Sequence, residues 1–195
     1  MRIPQKRSPL GLFAAFGLIL LGVAVVRGDE PTAFDLAKQG NRFVGEQSKD
    51  KVLEIRSEKS IGGLVPSVWY VTYYDPDTSS KRAEVKFGGG QQMGIKRGWS
   101  PFSGNPLQKL MDPTKLKIDS DEAIKIATTQ PLLSKLTLKA TQLKLEVGGG
   151  TPMWHVHIYA AKLSKPDKMV DVGEISLSAQ TGQVTSSDLD ISKVD

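Results

Sequence analysis

The chain contains no cysteine, and only two of its 195 residues are histidine. Missing thiols exclude disulfide staples, a cysteine-linked lipid, thiol chemistry and cysteine-based zinc sites. The candidate bases, His155 and His157, stand two apart in one segment. No Gly-x-Ser-x-Gly or His-Glu-x-x-His occurs, so the nucleophile elbow and the zinc-peptidase motif are both missing. We therefore expect no enzyme, no catalytic residues and no cofactor. Charge of one sign is also scarce once the chain is read in parts. Of the 26 basic residues, Arg2, Lys6, Arg7 and Arg27 lie in the first 28 positions, leaving 22 against 21 acidic residues. Lysines and acids are interspersed through that remainder. It lacks the basic footprint of a nucleic-acid binder, and we expect no nucleic-acid partner.

The N-terminus holds the longest apolar run, Leu10 to Val26, 17 residues behind a basic start. Val26-Arg27-Gly28 puts small residues at the two positions that a signal peptidase reads, before Asp29. Residues 1–28 therefore read as a signal peptide, cut after Gly28 or after Ala24. A retained N-terminal membrane anchor is the alternative, since 17 residues reach the lower limit for spanning a bilayer. Either way the body is exported, to the periplasm or cell envelope, or secreted if the signal is cleaved. An exported body without disulfides must gain its stability from a buried core.

What remains repeats itself. Val68-Trp69-Tyr70-Val71 and Met153-Trp154-His155-Val156 each set a tryptophan and a valine two apart. An alternating strand precedes each (Leu53, Ile55; Leu143, Leu145, Val147) and another follows (Val85, Phe87; Ile175, Leu177). A helix-like stretch opens each set (Leu36 to Gln39; Ile126 to Thr129). Helix, first strand and last strand recur at a spacing of about 90 residues, the tryptophans at about 85, the difference taken up by loops. The reading is α+β: two tandem units, each one helix packed on a small antiparallel sheet. The units are placed at 29–93 and 118–188, with a linker at 94–117 and a tail at 189–195. Trp69 and Trp154 are expected to superpose.

The local signals are of ordinary kinds. Thr32 reads as an N-cap of a helix running to about Phe43-Val44, and Asp119 as a second N-cap with Glu122 three residues on. Strands are expected at Val52 to Arg56, Val68 to Tyr74, Lys81 to Phe87, Thr141 to Val147, Pro152 to Ala161 and Asp171 to Ala179. A short last strand begins at Val184. Gly88-Gly89-Gly90 is read as the end of the first unit. In the linker, Trp99, Phe102 and Leu107 are too apolar for a solvated tether and are expected to pack between the units.

The second unit resembles a PepSY domain. The resemblance is carried by the helix Asp119-Ser120-Asp121-Glu122-Ala123-Ile124-Lys125-Ile126-Ala127, by the strand Trp154-His155-Val156, and by Ile175-Ser176-Leu177-Ser178-Ala179-Gln180-Thr181-Gly182-Gln183-Val184. It covers about 70 residues, with Ser178 standing where the family has aspartate. The first unit is similar to a degenerate copy that keeps Trp69-x-Val71 but has glycines in place of the Thr-Gly hairpin. The resemblance implies a PepSY/cystatin-like, non-catalytic module of a bacterial, exported protein. Such modules are associated with inhibiting or modulating peptidases, or with binding other envelope proteins.

Candidate contact residues follow from alternation along the strands. Trp69, Val71, Trp154, Val156 and Ile158 point to the core, which sends Tyr70, Tyr74, His155, His157 and Tyr159 to the other side. Those five are the expected partner-binding face, the partner being a protein such as a peptidase. Packing of one unit on the other is the plain alternative for the same face. His155-x-His157 could also supply two metal ligands, which gives a second reading as a metal-handling or sensory envelope accessory. Without a visible third ligand, two imidazoles on a half-exposed sheet face are the simpler account. The Gly62-Gly63, Gly88 to Gly90 and Gly148 to Gly150 runs read as hairpin turns.

Overall fold

The computed structural model describes residues 30–98 and 106–194. The signal or anchor segment, and Trp99 and Phe102 of the linker, lie outside the described residues. No described helix is long and apolar enough to cross a membrane.

Thr32 caps the first helix, α1 (Ala33–Gly40), in a capping box with Asp35. The helix stops at Gly40, short of the expected Phe43-Val44. A hypothetical Cβ at Gly40 would stand 2.0 Å from the hydroxyl of Tyr73, which donates to Ala37 O at 2.6 Å. Only glycine lets the helix end lie this close to the sheet. Asp119 caps the second helix, α2 (Ser120–Thr128). Its carboxylate accepts from Ser120 N and also from Phe34 N of α1, while Ser120 Oγ accepts from Ala33 N. One cap therefore serves orphan amide donors of both helices.

The described residues form eight strands, four before α2 and four after it: β1 (Val52–Ser57), β2 (Val68–Tyr74), β3 (Arg82–Gly88), β4 (Gln91–Arg97), β5 (Leu138–Gly148), β6 (Thr151–Ala161), β7 (Met169–Ser178) and β8 (Val184–Leu189). All belong to one antiparallel sheet, in the order β4-β3-β2-β1-β5-β6-β7-β8. This corrects the expectation of two tandem helix-on-small-sheet units. The first strands of the two repeats pair edge to edge, Glu54 with Glu146, Ile55 with Leu145 and Arg56 with Lys144. Left apart, each would be a bare edge with unpaired backbone groups, and joining them satisfies both. Beyond the three paired residues the seam is completed by hydroxyls. Leu143 N donates to Ser57 Oγ, and Thr141 N donates to Ser60 Oγ.

The core is likewise single. Phe34 of the first helix stacks on Trp154 in the second half, with ring centroids 6.2 Å apart, and one apolar cluster runs through both halves. Both tryptophans face it from the second strand of their half. Trp69 lies opposite Ser57 and Phe87, and Trp154 opposite Leu145 and Leu177. These registers lay Ser57 on Leu145 and Arg56 on Lys144, two residues away from the match that the apolar pattern suggests. The halves are thus related by an approximate two-fold passing between Arg56 and Lys144. A second departure is β4, which occupies Gln91–Arg97, where the sequence shows glycine and no alternation. It is an edge strand whose side chains are mostly exposed, so no apolar pattern is required of it.

Candidate functional site: the open face of the sheet

Alternation sends every second side chain away from the helices, and neither α-helix covers the side they reach. Near the two-fold this open face is ionic. Arg56 on β1 pairs with Glu84 of β3 at 2.8 Å, and its Nε lies 3.6 Å from Glu54. Across the seam Lys144 of β5 lies 3.7 Å from Glu54 and 2.9 Å from Glu146. The chain of charges continues onto β6 and β7. His155 Nδ1 lies 2.7 Å from Glu174, and His157 Nε2 lies 2.9 Å from the other oxygen of the same carboxylate. His157 Nδ1 is 3.4 Å from Asp171, inside ion-pairing range but without hydrogen-bond geometry. Arg56, Gln142, Lys144, Glu146, His155 and Glu174 line a shallow depression of about 350 Å³ over the seam.

Two carboxylates in this network differ in environment. Glu54 is almost fully buried in mid-sheet. Burial raises its pKa above 4.5, more than Lys144 and Arg56 lower it, and one carboxylate oxygen has no hydrogen-bond donor. Glu174 is shifted down from 4.5. Burial opposes its ionisation, but hydrogen bonds from His155 and Ser176 and the two imidazoles together outweigh it. The signs of linkage are therefore opposite. Glu174 adds stability above its unfolded pKa and loses it as pH falls through its lowered folded value. Glu54 favours the fold only below its unfolded pKa, and that contribution is lost as pH rises through the raised value. Glu54→Gln is accordingly expected to melt higher than wild type at pH 7, with the gap closing below pH 4.5. Thermal melts of the two proteins across pH 3.5 to 8, reckoned around those carboxylate values, check this. A variant that melts lower than wild type at pH 7 contradicts it.

The five candidate contact residues all lie on this open side, half-buried, but in unequal settings. Tyr70 sits beneath the Arg56 guanidinium, 3.9 Å from the ring, with Lys86 5.0 Å away, and it donates to Glu58. Tyr159 donates to Gln142 at 3.2 Å and lies under Lys59. Burial, then the charge of Asp171, raises its pKa. His155 and His157 belong to the ionic network. Tyr74 lies outside it, with Lys51 5.8 Å from its ring. Sequence reading missed Glu54, Arg56, Lys144, Glu146 and Glu174. The available signal was charge in the middle of otherwise apolar strands (Leu53-Glu54-Ile55-Arg56; Leu143-Lys144-Leu145-Glu146). No group of three His, Asp or Glu side chains among the described residues is arranged to hold a metal ion.

Comparison with known proteins returned no matching family model, no matching curated protein and no matching solved structure. The geometry alone therefore describes the class: among the described residues, an eight-stranded antiparallel sheet with two α-helices on one face and, on the other, a charged, tyrosine- and histidine-bearing surface that neither α-helix covers.

Proposed function

We propose that this is an exported, non-catalytic binding module of a bacterial cell envelope that docks a protein partner on the open face of its sheet. The PepSY resemblance makes a peptidase the first partner to test. The observation carrying the reading is the ionic network over β3, β1, β5, β6 and β7, flanked by Tyr70 and Tyr159. Every tyrosine ring in the set has a lysine or arginine near it, so the face offers charge and hydrogen bonds rather than bare apolar area. Recognition there is electrostatic, fast and weakened by salt. A photo-crosslinking side chain at position 86, beside Tyr70 on the open face, is expected to trap an envelope protein, whereas one at Lys125, exposed on α2, is not. Capture only from position 125, or from neither, overturns the reading.

The second reading, metal handling through His155 and His157, is favoured by one observation: two imidazole nitrogens lie on one carboxylate. The double variant His155→Ala/His157→Ala separates the two. The side chains of His155 and His157 are 29% and 43% exposed, so losing their contacts to Glu174 is expected to cost about 1–2 kcal/mol of stability, the order for two partly exposed hydrogen bonds. Partner capture by the variant should fall at least tenfold. Calorimetric titration with zinc and copper should show no micromolar site in wild type. A micromolar site lost in the variant would put the metal reading first.

A further inference from the structure

The strand directions sort the connections of the sheet to two ends. One end gathers the β1–β2 loop, the β3–β4 turn, the segment entering β5, the β6–β7 loop and the turn after β8. Ala161 N donates to Thr137 O, Leu163 N to Val194 O, and Gly89 N to Ser67 O, which tie these pieces together in neighbouring pairs.

Two properties concentrate there. Ten large apolar side chains remain exposed among the described residues, and six belong to this end: Ile61, Val65, Leu132, Leu163, Met169 and Ile191. Ile61 is 91% exposed and Leu163 67%. The loop carrying Ile61 is not loose, because Ser60 N donates to Thr141 O and Thr141 Oγ1 donates to Leu64 O. An apolar side chain is thus held out into solvent on a braced loop. The second property is charge. Segments 58–67, 134–139, 162–168 and 190–194 contain seven lysines and three acids, within a body that is nearly neutral from residue 29 onward. Isoleucine and leucine tips within a lysine ring match the interface of an anionic bilayer: apolar groups enter the headgroup layer, and ammonium groups stay among the phosphates.

A third observation is independent of both. Pro31 packs against Gly90 in the β3–β4 turn, its Cγ 2.9 Å from where a Cβ would stand. The described chain therefore starts at this same end, and the apolar run of residues 10–26 precedes it in sequence.

We propose that this lysine-rich end of the sheet docks on an anionic phospholipid surface, with Ile61 and Leu163 inserted at the headgroup level. Docked so, the open ionic face stands roughly perpendicular to the membrane and remains accessible to a partner. The surface adjoins the partner-binding face at Glu58 and Lys59, and its test alters neither residue, so either reading can fail alone.

Because the chain has no cysteine, single-cysteine variants report one position each. Full-length Ile61→Cys and Asp77→Cys, the second on an exposed turn at the opposite end, are labelled with an environment-sensitive fluorophore. Each is mixed with vesicles of phosphatidylcholine alone or with 30% phosphatidylglycerol, a composition of about the anionic content that gives useful surface potentials. The apolar N-terminal run can carry the whole chain to any vesicle, so flotation is recorded separately from the label. The expected result is a blue shift at position 61 with anionic vesicles, no shift at position 77, and reversal in high salt. Adding Lys135→Glu, Lys165→Glu and Lys168→Glu should abolish the shift at 61 while flotation and the melting temperature persist. Equal shifts at both positions, a shift insensitive to the lysine reversals, or the same shift with soluble polyglutamate would each overturn the proposal, the last pointing to an acidic protein instead.

Discussion

Replacing Trp154 with alanine is expected to lower stability by about 3–5 kcal/mol, the range for truncating a large buried aromatic. Trp154 is fully buried at the centre of the single core. It joins three parts of the chain at once: its ring stacks on Phe34 of α1, its Nε1 donates to Ile118 O at 2.8 Å, and its backbone lies between β5 and β7. The Ile118 carbonyl, in the segment entering α2, would lose its donor in addition to the cavity term. Thermal and denaturant unfolding would measure the loss, with a drop in melting temperature on the order of 10 °C for a domain of this size. Because the core is shared, the two halves should unfold together in a single transition. A half that survives on its own in the variant would speak for separately folding units.

The other large effect is expected at Gly173. Its φ is +122°, a conformation that side chains rarely adopt, at the register shift where Ile158 pairs with Gly173 and Tyr159 with Asp171. An added Cβ would fall 1.9 Å from the carbonyl oxygen of Asp188 and 3.0 Å from the Cα of Leu189, both backbone atoms of β8. Strain at such a φ costs about 1–3 kcal/mol. Overpacking against atoms that cannot rotate away adds about 1–3 kcal/mol more. Gly173→Ala should therefore either destabilise the fold by about 2–6 kcal/mol or peel β8 from β7. Hydrogen exchange separates these outcomes: peeling speeds exchange at Ser186 and Asp188, which β7 holds, and leaves β2 and β3 protected. The same change should disturb the open face, because Glu174 follows Gly173 directly and bridges both histidines. Wild-type stability together with wild-type exchange would refute this account of the bulge.

Much of the local structure was legible in the residues. Thr32 and Asp119 announce helix starts because a short oxygen-bearing side chain is what orphan amide groups need. The runs around Trp69 and Trp154 announce strands because their alternation must match a half-buried pleat. The same alternation placed Tyr70, Tyr74, His155, His157 and Tyr159 together on the side away from the core. The extent of β4 was not legible, since Gln91–Arg97 is an edge strand with little buried on either side. Nor was the end of α1, which is fixed by the approach of Tyr73 to Gly40.

The ionic site shows where reading from sequence stops. Glu54 and Glu146 are 92 positions apart, as are their numbers in the chain, and nothing local to either says that they lie opposite one another. Lysines and carboxylates are interspersed along the chain, with no local pattern that sets these apart as one site. The pairing of β1 with β5 gathers them into one network in which Glu54 is buried and Glu174 holds two imidazoles.

The sequence by itself determined the parts: two helix starts, the repeated tryptophan strands, the face on which each strand residue points and the absence of thiol chemistry. These are set by capping, alternation and composition, which act over a few residues. Only the tertiary structure decided that the repeats form one sheet around one core, that Asp119 caps both helices, and that charge converges at the seam. Those follow from satisfying exposed strand edges and orphan amides across nearly half the chain's length, and no short-range pattern encodes which distant group will supply the partner.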